Sequence, residues 1–92
     1  MTRDELYMKK ALELAEIAAE QGEVPVGAIV VKRSSGEIIG RGFNRREYGR
    51  SPLTHAELVA IEEASHNLGG WRLMGFQVYD TLFKSLNIFV SK

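Results

Sequence analysis

A chain of 92 residues, 45% hydrophobic and 26% charged, has the composition of one small globular domain and not of a disordered segment. Twelve basic and twelve acidic side chains cancel, so no global field draws in nucleic acid. The absence of cysteine excludes disulfides and fits a cytoplasmic protein; the charged N-terminus is unlike a signal peptide, and no apolar run is long enough to span a membrane.

Thr2-Arg3-Asp4-Glu5 reads as a capping box, with Thr at the N-cap and Glu three residues on. Behind it Tyr7, Ala11, Leu14, Ala15 and Ala18 recur at helical spacing, which predicts a helix over 3–21, and Gly22 is placed to stop it. So alanine-rich a stripe implies close packing on a sheet. Val24-Pro25 leads into the continuous apolar run 26–31, predicting a strand over 25–31 buried on both faces. The turn cluster Ser34-Ser35-Gly36 is followed by a second strand over 37–43, and so short a connection makes an antiparallel hairpin. Gly40 and Gly42 mark a bulge or a close backbone approach.

From Asn44 to Leu53 the sequence is polar loop. It closes a locally basic stretch, 32–50, in which Lys32, Arg33, Arg41, Arg45, Arg46 and Arg50 stand against Glu37 and Glu47. Arg45, Arg46 and Arg50 read either as phosphate contacts or as an ordinary solvated loop, the second being favoured because Glu47 dilutes the patch. Thr54 is placed to cap a second helix over 54–68, with Leu58, Ile61, Ala64 and Leu68 on one face and Gly69-Gly70 ending it. His66 reads as a surface histidine and Trp71 as a packing anchor. Phe76 to Leu82 predicts a third strand, expected parallel to the first by a right-handed crossover. The element order is that of an α/β domain.

Within the second helix, His55-Ala56-Glu57 has two readings. In one, Thr54 and Glu57 are the two ends of a capping box. In the other, His55 is a zinc ligand and Glu57 a proton shuttle that stays off the metal.

The surroundings bear on that choice. Gly22-Glu23-Val24-Pro25-Val26-Gly27-Ala28, then Gly42-Phe43-Asn44-Arg45, Pro52-Leu53-Thr54-His55-Ala56-Glu57 and Trp71-Arg72-Leu73 follow one another in the order and spacing of a known group. Over about residues 2–82 the chain resembles the cytidine deaminase-like zinc deaminases, and within them the bacterial tRNA-specific adenosine deaminases. The resemblance implies a three-layer α/β fold, helix–hairpin–helix–strand around a mixed sheet. It implies zinc as cofactor, a tRNA anticodon stem-loop as partner and conversion of adenosine to inosine at the wobble position. By position it makes His55 the metal ligand, Glu57 the catalytic acid and base, and Asn44, Val24 and Pro25 the substrate-binding residues. Deamination of a free base or nucleoside of the guanine or cytosine type stays open, as does a non-catalytic binding remnant of the fold.

The chain also departs from that group. After Thr81-Leu82 the family pattern continues Glu-Pro-Cys-x-x-Cys, whereas here Phe83-Lys84-Ser85-Leu86-Asn87-Ile88 follows, with Ser85 and Ile88 where two ligand cysteines belong. One deaminase-like domain over 1–92 is therefore expected, incomplete, with 83–92 off pattern and two of three zinc ligands missing. Asp80 stands mid-strand where the group is apolar; an unpaired buried carboxylate is costly, so an exposed or disordered strand is expected there. A third strand left as an open edge leads to the expectation of a homodimer or other self-association.

Overall fold

The computed structural model describes residues 2–45, 51–67, 76–81 and 86–88. Helix α1 (Arg3–Glu20) starts at the expected box: the Glu5 amide donates to Thr2 Oγ1 at 3.1 Å, and the Thr2 amide donates back to Glu5 Oε1 at 3.1 Å. That bonding holds the Glu5 carboxyl below its ordinary range. The helix ends as a Schellman turn. Gly22, at φ 77°, donates to Ala19 O at 3.0 Å, and the Glu23 amide donates to Ala18 O at 3.0 Å.

Strands β1 (Gly27–Lys32) and β2 (Ile38–Phe43) form the predicted antiparallel hairpin. Helix α2 (Pro52–Asn67) leads to β3 (Phe76–Asp80), and a short β4 (Leu86–Ile88) follows. The sheet order is β2-β1-β3-β4 and every pairing is antiparallel. The third strand is thus not parallel to the first, and the sheet of neighbours is not mixed. The crossover rule applies to the strand that enters the helix, which is β2. The chain leaves β2, crosses through α2 past β1 and returns parallel to β2; β1, already reversed by the hairpin, is therefore antiparallel to β3. The outer edge of β3 is not open either, because Phe76–Val78 pairs with Leu86–Ile88. The reason for expecting association through that edge falls away.

Central β1 separates two helix layers. Val26, Ala28, Val30 and Val78 pack with Ala56, Ala60 and Ala64 of α2, while Ile29, Val31 and Tyr79 pack with Tyr7 on α1. Glycine in the strands lets both helices approach closely. A Cβ at Gly27 would stand 2.2 Å from Ala11 O; one at Gly40 would stand 2.0 Å from Ala60 O, and one at Gly42 2.2 Å from Ala56 O. The close approach holds at both Gly40 and Gly42, and a bulge adjoins Gly40, where the β1–β2 register skips Ile39. The skip turns Ile38 toward α1 and Ile39 toward α2.

Two tyrosines fasten α1. Tyr7 donates to Gly36 O at 2.5 Å, and buried Tyr79 donates to Asp4 Oδ1 at 2.6 Å, with the rings 5.0 Å apart. Burial, then the bond to Asp4, keeps the Tyr79 hydroxyl protonated well above the usual phenol range. Tyr79→Phe is expected to cost about 1.5 kcal/mol, the usual loss for a hydrogen bond to a charged acceptor, read as a shift in the urea midpoint.

Candidate functional site

The start of α2 differs from the predicted one in a way that bears on the site. Pro52 occupies the first helical position and Ser51 caps it: the Thr54 amide donates to Ser51 Oγ at 3.2 Å, and the Ser51 hydroxyl donates to Thr54 Oγ1 at 2.8 Å. Thr54 is therefore inside the helix and Glu57 lies well past its third position. The capping-box reading of Thr54 and Glu57 does not hold, which leaves both His55 and Glu57 without a role in the helix end. His55 is 7% exposed.

Antiparallel strands bring the start of β1 to the end of β2 and β3, and the first turns of α2 rest there. The Ala56 carbonyl lies against Gly42. Two residues on, buried Asn44 donates its backbone amide to Val26 O at 2.9 Å and its Nδ2 to Val24 O at 3.1 Å. Val24 is 54% exposed, an apolar rim beside the Asn44 carboxamide, and Pro25 next to it is also exposed. From the other side Thr81 clamps Gly27, accepting from its amide at 3.3 Å and donating its own amide to Gly27 O at 3.2 Å. All five residues predicted for the site, Val24, Pro25, Asn44, His55 and Glu57, thus gather at one end of the sheet.

One residue joins them unforeseen. Asp80 is 0% exposed, so its strand is not exposed as expected. Alternation along β3 puts it on the face of Val78, opposite Ala28 and toward α2. There it meets Glu57. Burial first, then the hydrogen bond and like charge of Asp80, push the Glu57 carboxyl up to about 7. Two adjacent carboxylates would repel, so this neighbour favours the protonated form of Glu57. The period-two pattern Val78-Tyr79-Asp80 carried the signal for this placement, because it sets Asp80 on the face of an apolar neighbour.

The other candidates lie elsewhere. The Arg45 guanidinium sits over the Phe43 ring, 4.9 Å from its centroid, and His66 is exposed in the last turn of α2. Arg46, Arg50 and Trp71 fall outside the described residues. Among the described residues no three His, Asp or Glu side chains converge as a metal cage. A catalytic zinc takes three protein ligands. The sequence contains no cysteine, so the two thiolate ligands of the deaminase pattern are missing. The residues present do not fit a complete zinc site. No helix among the described residues is long and apolar enough to cross a membrane.

The chain belongs to the cytidine and deoxycytidylate deaminase zinc-binding family, which it matches over residues 1–83. The tRNA-specific adenosine deaminase of Bacillus subtilis strain 168 is 51% identical over 82 residues, covering 89% of this chain and 50% of that protein. The chain thus spans about half the length of the curated relative it matches. Among solved structures, one of a tRNA:A34 deaminase, from work on A-to-I editing at the wobble position, superposes with a TM-score of 0.72 at 36% identity, covering 87% of this chain and 60% of that one. The guanine deaminase of Bacillus subtilis superposes with a TM-score of 0.68 at 35% identity, covering 84% of this chain and 48% of its own.

Proposed function

We propose that this chain carries the base-handling part of a tRNA adenosine deaminase, an enzyme that adds water to the wobble adenosine of an anticodon stem-loop and releases ammonia, leaving inosine. The observation behind this reading is the single sheet end that holds Asn44, Val24 and Pro25 next to the first turns of α2. The 51% identity to a tRNA-specific adenosine deaminase favours adenosine in tRNA over a free base.

In this reading Val24 and Pro25 form an apolar rim for the purine. With Nδ2 committed to Val24 O, Asn44 offers Oδ1 as an acceptor to the base. Glu57 is the proton carrier, receiving a proton as water adds to the ring and passing one to the departing ammonia. Zinc, where a full ligand set binds it, supplies an activated water near neutral pH. His55 is one ligand of such a set, and this sequence does not complete it. The chain as written is therefore expected to bind zinc weakly and not to deaminate.

The test compares four proteins for inosine formation in an anticodon stem-loop and for zinc content. They are the chain itself, a chimera in which residues from Phe83 onward are replaced by the corresponding part of the Bacillus subtilis relative, and that chimera with Glu57→Gln or His55→Ala. The chimera is expected to be active and zinc-loaded. Glu57→Gln should keep zinc and lose turnover by at least about a hundredfold, the usual worth of a positioned acid–base group. His55→Ala should lose both. Turnover by the unaltered chain, or a chimera that deaminates free guanine and ignores the stem-loop, would overturn the assignment; the second result points to the guanine deaminase likeness.

A further inference from the structure

Among the described residues, strand β2 is the outermost strand on its side of the sheet. The Asn44 amide donates to Val26 O at 2.9 Å. Counted back along the antiparallel ladder, Gly42 and Gly40 turn their backbone groups toward β1, while Arg41 and Phe43 turn theirs outward. Outward N–H and C=O groups on an edge strand are a template for another chain.

On this edge α2 occupies two of them. The Arg41 amide donates to Glu63 Oε1 at 3.2 Å, and Asn67 Nδ2 donates to Ile39 O at 2.8 Å. Glu63 and Asn67 lie one helical turn apart, so a single face of α2 delivers both contacts. The Arg41 guanidinium adds an ion pair with Glu63 at 3.9 Å; the pair is half-exposed and contributes little stability. Its geometric effect is larger, because it holds the Glu63 side chain over the edge.

We propose that Glu63 and Asn67 act as a latch that closes the β2 edge against strand addition by a second copy of this chain. A second copy is the occupant that fits, because an antiparallel edge can pair with its own copy about a two-fold axis, each strand presenting the same pattern to the other. The inference is independent of any deaminase activity.

The test uses Glu63→Ala, Asn67→Ala and the double variant, with sedimentation velocity for mass and amide hydrogen exchange for the edge. In the unaltered chain the Arg41 amide should exchange slowly for an outward edge position. Glu63→Ala should speed it at least about tenfold while Gly40 and Gly42 keep their protection. Glu63→Gln, which retains an acceptor oxygen, should leave it slow. The double variant should sediment at twice the mass of the unaltered chain or more. Adding Arg41→Pro, which removes the outward donor at a position where an edge tolerates proline, should return the original mass. Fast exchange at Arg41 in the unaltered chain would overturn the latch. So would a folded double variant with unchanged mass, or association that Arg41→Pro leaves intact.

Discussion

Gly42→Ala is expected to lower stability by about 3 kcal/mol, the upper part of the range for overpacking a close contact. In a domain of this size that corresponds to a fall of roughly 15 °C in the melting midpoint. The added methyl would lie 2.2 Å from Ala56 O and 2.7 Å from Ala60 N, both helix backbone, so no side chain can swing aside. Relief requires α2 to lift from β2, which also moves the turn bearing His55 and Glu57. Gly40→Ala, at 2.0 Å from Ala60 O, should behave alike. The contrasting substitution is Gly22→Ala, where nothing lies within 4 Å and only the positive φ of 77° is strained. It should cost about 1 kcal/mol. Urea unfolding of the three variants gives the comparison, and equal losses at Gly42 and Gly22 would mean that α2 does not rest on β2 as described.

Asp80→Asn is expected to remove much of a pH dependence that the parent chain shows. Glu57 has a folded pKa raised to about 7, first by burial and then by Asp80. A group raised above its unfolded value of about 4.3 contributes stability that is complete below that value and is lost as pH rises through 7. The parent should thus be more stable near pH 4.5 than near pH 8, as far as this pair is concerned. Glu57 is partly exposed and screened by solvent, so the difference is on the order of 1 kcal/mol and not the full linkage value. In Asp80→Asn the like charge is gone and the amide can donate to a Glu57 carboxylate. The slope between about pH 4.5 and 7 should flatten, with stability gained at the alkaline end. Denaturant midpoints across that interval measure it, and an unchanged slope would show that burial alone perturbs Glu57.

What could be read from the sequence divides along the range of the interactions involved. Both ends of α1 were legible because Thr2, Glu5 and Gly22 make their caps with residues at most five positions away. The hairpin was legible for the same reason. The direction of β3 was not, since it depends on which strand the α2 crossover starts from, and the spatial place of β1 between β2 and β3 is written in no local pattern. The start of α2 was misplaced by competition between two good caps: Ser51 with Pro52 behind it prevailed over Thr54, and proline at the first helical position decides that contest. For the candidate site, Asn44, Val24, Pro25, His55 and Glu57 were named through the resemblance, and the structure places them at one end of the sheet. Asp80 was flagged from its chemistry, yet the sequence alone offered no view of the Glu57 carboxyl that bonds to it.

The bond between Tyr79 and Asp4 spans 75 positions of chain. During synthesis, α1, the hairpin and α2 all leave the ribosome before β3 does, and domains fold from the N-terminal side as they emerge. Until residues 76–80 are out, β1 has a bare edge where β3 will pair, and α1 has no Tyr79 ring to pack on. The nascent chain therefore passes through a stage with its central strand half covered. That stage is where chaperone capture, or pairing with a neighbouring nascent chain on the same message, would compete with folding.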